Sequence, residues 1–203
     1  MPESSVISDE YRALNHALHC SDATYGTSGR RWAPLVRQLV ARHGLADVLD
    51  YGCGKQTLAR ALPDIEVRGY DPAYDELSAP PAPADLVVCS DVLEHVEPQH
   101  MPAVLDDLAR CTRRFAFLVV ATRPARKQLA DGRNAHLCQW PASAWLAYIL
   151  PRFDLSFMAD HLPEFEDRGW KQRLARWALR DVRMATPRRG EVVFLLSRKH
   201  GPN

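Results

Sequence analysis

The reading turns on Val48-Leu49-Asp50-Tyr51-Gly52-Cys53-Gly54 and on Gly69-Tyr70-Asp71-Pro72 further along. The first is a short apolar run that stops on an acid and enters a glycine turn. The second is another such run that also ends on a carboxylate. A strand, a glycine turn and a helix, with an acid about 20 residues on, is how an open α/β sheet holds an adenosine-type ligand. The glycines supply the turn and let backbone approach the ligand. The acid accepts hydrogen bonds from ribose hydroxyls.

Details narrow the ligand. A dinucleotide fingerprint wants a third glycine, and Thr57 stands in that place. Asp50 closes the first strand just before the turn, where it would repel a pyrophosphate and suit a cationic group. The Asp-x-Gly-x-Gly pattern resembles the first motif of the class I S-adenosylmethionine-dependent methyltransferases, whose cofactor carries a sulfonium and an ammonium. Ala84-Asp85-Leu86-Val87-Val88-Cys89-Ser90-Asp91-Val92-Leu93-Glu94-His95-Val96 is similar to the strand and turn that flank the adenine in that family. Arg114-Phe115-Ala116-Phe117-Leu118-Val119-Val120 is similar to the strand after it. The resemblance spans residues 45–160. It implies a Rossmann-like, doubly wound, mostly parallel α/β sheet with a C-terminal antiparallel strand pair, and S-adenosyl-L-methionine as cofactor.

One departure alters the expected sheet. Between Asp71 and Asp85 the family fits a helix, a third strand and an acidic adenine contact. Here that interval holds Ser78-Ala79-Pro80-Pro81-Ala82-Pro83. Proline lacks the amide proton that a helix interior or a central strand needs. The third strand and its preceding helix are therefore expected to be lost, and Leu77 and Ser78 are left to line the adenine.

The chain has 203 residues and a formal net charge of +1. That length fits one domain, divided here into an N-terminal helical cap (1–44), a cofactor-binding core (45–160) and a lid helix with the last strand (161–203). The charge balance announces neither nucleic acid nor membrane. The longest apolar run, Phe115 to Ala121, is too short to span a bilayer, and the polar N-terminus lacks a signal-peptide pattern, so a cytoplasmic protein is expected. Five cysteines form no Cys-x-x-Cys pair and read as reduced thiols, with no metal-ligand set among them. Nothing in the sequence selects an oligomeric state.

Hydrophobic spacing gives the elements. Tyr11, Leu14 and Leu18 mark a first helix. Trp32, Leu35, Val36, Leu39 and Val40 mark a second, with Pro34 in its first turn and Gly44 as its stop. Strands are expected near 46–50, 65–70, 85–89, 114–121, 153–159 and 190–198, with helices near 55–62, 101–113 and 141–150. The segment 122–139 is a long basic loop, of a kind that is functional or disordered. Pro163 to Arg189 reads as a helix with Trp170, Leu174, Trp177 and Ala178 on one face. Arg173, Arg176, Arg180 and Arg183 lie on another, either as a solvated face or as the cationic stripe of a lid.

The candidate site follows from strand ends, where open α/β sheets bind ligands. Asp50 and Gly52 are expected to face the aminoacyl part of the cofactor and Asp71 to hold the ribose, with Tyr51, Gly54 and Pro72 as further cofactor-binding residues. Ser90, Asp91 and Val92 lie beyond the next strand. Asp91 and Glu94 also read as a helix N-cap with its capping-box partner. Tyr25 and Arg30 are placed to close over the cofactor, Arg30 on its carboxylate. Methyl transfer needs alignment of the acceptor and exclusion of water, and a hydroxyl acceptor gains from a base of near-neutral pKa, which favours histidine. His136, in the loop after the 114–121 strand, is the preferred base. His95 is the second candidate, with loop fixing as its structural alternative.

Three functions compete. One is methylation of a small polar metabolite, foremost O-methylation of a sugar or related hydroxyl compound. Another is methylation of nucleic acid or protein through the basic 122–136 loop and the arginine stripe. The last is a catalytically silent cofactor-binding subunit, against which Asp50, Gly52, Gly54 and Asp71 stand intact.

Overall fold

A computed structural model of the chain describes residues 5–160, 187 and 189–199. The strands are β1 (Val48–Tyr51), β2 (Val67–Tyr70), β3 (Ala84–Ser90), β4 (Thr112–Ala121), β5 (Phe153–Asp160) and β6 (Glu191–Arg198). They form one sheet in the order β2-β1-β3-β4-β6-β5. The first four strands run parallel, while β6 pairs antiparallel with both β4 and β5. The strand order reverses direction beside β1, so the crevice for a ligand opens at the C-terminal ends of β1 and β3.

Alternation along the strands sends side chains to two faces. On one face Leu49, Val87, Leu118 and Val120 pack with Val104, Leu105 and Leu108 of helix α4 (Met101–Cys111) and with Trp145 of helix α5 (Ala142–Ile149). On the other, Val48, Leu86, Val88, Phe117 and Val119 pack with Leu35, Val36 and Leu39 of helix α2 (Ala33–His43). Trp32 is fully buried there, its ring edge-on to Phe117 at 5.4 Å. Helix α2 ends where its sequence says it should, on Gly44 at φ 57°.

β2 is the sheet edge. The chain from Pro72 to Pro83 holds only a single 3-10 turn, Asp75–Leu77, before entering β3. The third strand is absent, as the prolines require. The carbonyls of Ala82 and Pro83 accept from Arg68, and Pro83 also accepts from Arg113, so this segment is pinned to the base of the sheet.

Two elements differ from the sequence reading. The helix expected over 55–62 is one turn, α3 (Thr57–Ala61), because Gln56 before it adopts a left-handed φ of 53°. β4 begins at Thr112, directly at the end of α4, where a later start was expected. The helix expected between Pro163 and Arg189, with its arginine stripe, lies outside the described residues save Pro187 and Arg189.

Helix α1 (Asp9–Ser21) crosses the open end of the sheet. Ser8 caps it by accepting from the Tyr11 amide at 3.1 Å. The Ser8 amide and hydroxyl in turn donate to the two oxygens of buried Glu97, each at 2.9 Å. All five cysteines are free, and no described helix is long and apolar enough to cross a membrane.

Trp32 fixes α2 to the sheet, so Trp32→Ala is expected to cost about 3–5 kcal/mol. Chemical denaturation would read this as a lower midpoint with an unchanged slope.

Candidate active site

The C-terminal ends of the parallel strands border an open cavity of about 1010 Å³. Its floor carries Asp50, Gly52, Asp71, Ser90 and Asp91; α1 and the 24–31 segment form one wall, and residues 123–127 with His136 the other. Tyr25, Arg30, Tyr51, Pro72, Val92 and His95 line it as well. The candidate residues named from sequence therefore converge on one space, except Gly54. Leu77 and Ser78 do not line it; the Leu77 carbonyl instead accepts from the Asp71 amide at 3.0 Å.

The two glycines serve contacts within the protein. Gly52 has φ 76°, and a Cβ there would stand 2.4 Å from Val92 Cγ2. Gly54 has φ 47°, and a Cβ there would stand 2.8 Å from the Gly26 carbonyl oxygen. The Lys55 amide donates to that same oxygen at 3.0 Å. The sequence reading gave both glycines to ligand approach. In the structure Gly54 lets the 24–29 loop dock on the β1 turn, and Thr57, in the place of a third glycine, donates to the Thr27 carbonyl at 3.1 Å.

Asp71 ties two turns together. One carboxylate oxygen accepts from the Gly54 amide at 2.9 Å and the other from the Ala73 amide at 3.0 Å. Burial raises its pKa, and these two bonds pull it back. A carboxylate oxygen has two lone-pair directions, so each oxygen keeps capacity for a ribose hydroxyl. Asp50 is different. Only 3 % exposed, it makes no hydrogen bond or ion pair with the described residues. Burial and the charge of Asp71 push its pKa up to about 7. Such a carboxylate fits a cationic ligand. Tyr51 turns its phenol away, donating to Asp107 on α4 at 2.9 Å.

Asp91 does not cap a helix. It has a left-handed φ of 54°, and the chain after it forms a 3-10 turn, Leu93–His95. Glu94 does not reach back to it. Its Oε1 accepts from the Ala121 amide at 2.9 Å, across the sheet end, and its Oε2 has no hydrogen-bond partner among the described residues. The capping-box spacing is present, but the tight turn between β3 and α4 sends both side chains elsewhere.

The basic loop is folded. Asn134 closes it by exchanging two 2.9 Å bonds with the Ala125 backbone, and it also accepts from the His136 amide. Cys138 then donates its amide to the Glu94 carbonyl at 2.9 Å. This sets His136 beside His95, the ring centroids 4.8 Å apart and nearly perpendicular. His95 Nδ1 donates to the Ala135 carbonyl at 2.7 Å, with the Tyr25 hydroxyl at 3.2 Å; His136 Nδ1 donates to the Arg123 carbonyl at 2.6 Å. A carbonyl only accepts, so each Nδ1 carries the proton and each Nε2 a lone pair. Burial lowers both pKa values, that of His95 to about 3 with help from His136. Both rings are neutral at pH 7.

A family model described as a methyltransferase domain matches residues 25–183, well over half the chain. The chain belongs to the class I S-adenosylmethionine-dependent methyltransferases. It is an S-adenosylmethionine-dependent methyltransferase, and the mixed sheet is that family's fold. Among solved structures it is similar to the Burkholderia thailandensis 1,6-didemethyltoxoflavin-N1-methyltransferase bound to its substrate and S-adenosylhomocysteine. The identity is 15 % over 94 % of this chain and 90 % of that one, with a TM-score of 0.59. The DhpI–S-adenosylhomocysteine complex matches at 16 % identity over 100 % of both chains, TM-score 0.57. The Synechocystis magnesium protoporphyrin IX methyltransferase with bound S-adenosylmethionine matches at 13 % over 96 % and 100 %, TM-score 0.57. No curated relative matches at a significant level.

When bound, S-adenosylmethionine supplies an electrophilic methyl group on a sulfonium. In this methyltransferase the buried carboxylate of Asp50 would hold its ammonium, and Asp71, braced by two backbone amides, would hold its ribose. The sequence signal missed Glu94, whose placement depends on β4, and Thr57, whose bonds depend on the 24–29 loop.

Because Asp50 starts half-protonated near pH 7 and a cationic partner favours its ionised form, cofactor affinity should rise with pH. Titration calorimetry should show Kd falling up to about tenfold per unit from pH 5 to 7 and levelling above. Asp50→Asn should flatten that profile and weaken binding at pH 8 by about tenfold or more. Asp71→Ala should weaken cofactor binding at least about tenfold and also lower Tm, since two buried amides lose their acceptor at about 1–3 kcal/mol each.

Proposed function

We propose that this methyltransferase methylates a hydroxyl of a small polar metabolite, the reading in which a sugar or related compound is the acceptor. The observation that carries it is the pair of neutral imidazoles, His95 and His136, held by backbone carbonyls with their Nε2 lone pairs unbonded on the cavity wall. A base for a hydroxyl must be unprotonated before the reaction and fixed in direction. His136, in the acceptor-side loop, takes the hydroxyl proton on Nε2 as the oxygen lone pair forms the new bond to the methyl carbon. His95 packs against it and sets its position. Tyr25 lines the same cavity, together with Tyr11, Asn15 and His19 of α1.

The size of the cavity supports a metabolite. Ligand pockets run to roughly 1,000 Å³, so about 1010 Å³ accommodates cofactor and a compact acceptor together. The nucleic-acid reading draws on the basic 122–136 loop, but two of that loop's cations are engaged within the protein. Lys127 pairs with Asp22 and donates to Thr24, and Arg133 pairs with Asp131. The acceptor of the toxoflavin-pathway enzyme to which the chain is similar is a small molecule. The silent-subunit reading has no structural feature in its favour.

His136→Ala is expected to lower kcat by roughly 10²–10⁴ while leaving cofactor Kd within about twofold. The wild-type rate should rise with pH through a limb below pH 6.5, since the His136 pKa is lowered, and be flat above it. The variant should lose that limb. Full turnover in the variant would return His136 to a structural role. For the competing macromolecular reading, acceptor binding would weaken steeply between low and physiological salt; a metabolite would show little change.

A further inference from the structure

We infer that Glu94, His95 and His136 form a binding site for one divalent transition-metal ion, on the acceptor side of the cavity. A carboxylate oxygen of Glu94 and a ring nitrogen from each histidine lie within 4.8 Å of one another. The three residues come from the turn after β3 and from the far end of the 122–139 loop, and the Cys138 amide bond to the Glu94 carbonyl locks those segments together.

Two independent features point to a cation. The first is the orphaned oxygen. Glu94 is 0 % exposed, its Oε1 is satisfied by the Ala121 amide, and its Oε2 is buried with no hydrogen-bond partner among the described residues. A buried unsatisfied acceptor costs about 1–3 kcal/mol, more when charged, and asks for a water or an ion. The second is the orientation of both imidazoles. Metal-bound histidines almost always donate the other ring N–H to a carbonyl or carboxylate, which fixes the ring and directs the lone pair at the metal. His95 does this to the Ala135 carbonyl and His136 to the Arg123 carbonyl, at 2.7 and 2.6 Å. Lone histidines find such bonds by chance; two adjacent ones doing so beside an unpartnered carboxylate form a ligand set.

Local charge agrees. Asp91 and Glu191 stand near Glu94 and raise its pKa, as burial does. Arg31 answers Glu191 with a two-pronged bond at 2.7 and 3.0 Å. No cation of the described residues contacts the Glu94 carboxylate. Two neutral imidazoles and one carboxylate suit Zn²⁺, Fe²⁺, Co²⁺ or Mn²⁺ better than Ca²⁺, which prefers a shell of oxygens. Bonds of about 2.1 Å in a tetrahedron set ligands about 3.4 Å apart, so the three side chains close inward by about an ångström on loading. The remaining coordination positions face the cavity, where an acceptor oxygen would meet the ion.

This inference shares with the proposed function the location of the acceptor and the side chains of His95 and His136. With an ion bound, the Nε2 lone pairs are occupied, and acidification of the acceptor hydroxyl passes from His136 to the ion, the proton leaving to solvent.

The test is metal binding itself. Untagged protein, stripped with chelator, is titrated with Co²⁺ and with Zn²⁺ at pH 7.5, following the visible absorption of Co²⁺ and the calorimetric stoichiometry of Zn²⁺. One equivalent is expected, with a Zn²⁺-dependent rise in Tm. Glu94→Gln keeps an oxygen for the Ala121 amide and should fold, yet weaken binding at least tenfold; His136→Ala should do the same. Absence of stoichiometric binding, or binding unchanged in both variants, overturns the site. If Glu94→Gln unfolds, His136→Ala alone decides, since its ring is replaceable without touching the sheet. Turnover that survives chelation with no metal bound leaves His136 as the proton acceptor; bound metal with chelator-sensitive turnover assigns that task to the ion. Loss of methylation of every hydroxyl acceptor would instead fail the proposed function while leaving the binding result intact.

Discussion

Parallel strands that end at one level leave backbone amides at their C-terminal edge with no partner from the next strand, and buried amides must find one. Here the partners are carboxylates. Asp71 takes the amides of Gly54 and Ala73, and Glu94 takes that of Ala121. Asp71 holds the β1 turn to the β2 turn, and Glu94 holds the turn after β3 to the exit of β4. The site exists because these turns are fixed in pairs at one end of the sheet. The shape of the cavity, the contact between Gly26 and Gly54, and the return of the 122–139 loop all depend on that fixing.

The same constraint sets the electrostatics. Asp50, Asp71, Asp91, Glu94 and Glu191 collect around one sheet end, and burial or neighbouring charge raises the pKa of the first four. Arg31 offsets Glu191, and backbone amides offset Asp71. The Asp50 carboxylate and one oxygen of Glu94 are left without hydrogen-bond partners among the described residues. A site of this kind is selective for positively charged ligands, since each one that binds relieves repulsion already present. We propose Asp50 as the group that answers the ammonium of the cofactor. On the opposite wall the two neutral histidines and Glu94 make a second locus of the same character, which links acceptor chemistry to the architecture of the sheet end.

Much of this was legible beforehand because it is local. Asp50, Gly52, Gly54 and Asp71 sit within short runs whose strand and turn character follows from apolar patterning, and the prolines at 80, 81 and 83 exclude a third strand by removing amide protons. Of the two readings of Asp91, the capping box with Glu94 does not form, because a tight 3-10 turn accommodates the same residue types and the Glu94 side chain has the Ala121 amide to bind. The roles of Leu77 and Ser78 were misplaced, since the course of the 72–83 segment is set by Arg68 and Arg113 pulling its carbonyls to the base of the sheet.

The sequence by itself determined the sheet, its missing strand, the order of the turns and the acids that close β1 and β2, because hydrophobic periodicity and glycine or proline stereochemistry act over a few residues. Only the tertiary structure decided which groups share the site. The pairing of His95 with His136 and the approach of Gly26 to Gly54 join residues 28 or more positions apart in sequence, and the bond of Glu94 to the Ala121 amide spans 27. No local rule couples such positions. Glu94 and the two histidines meet because β3 and β4 are neighbours in the sheet, and Gly26 meets Gly54 because the 24–29 loop docks on the β1 turn.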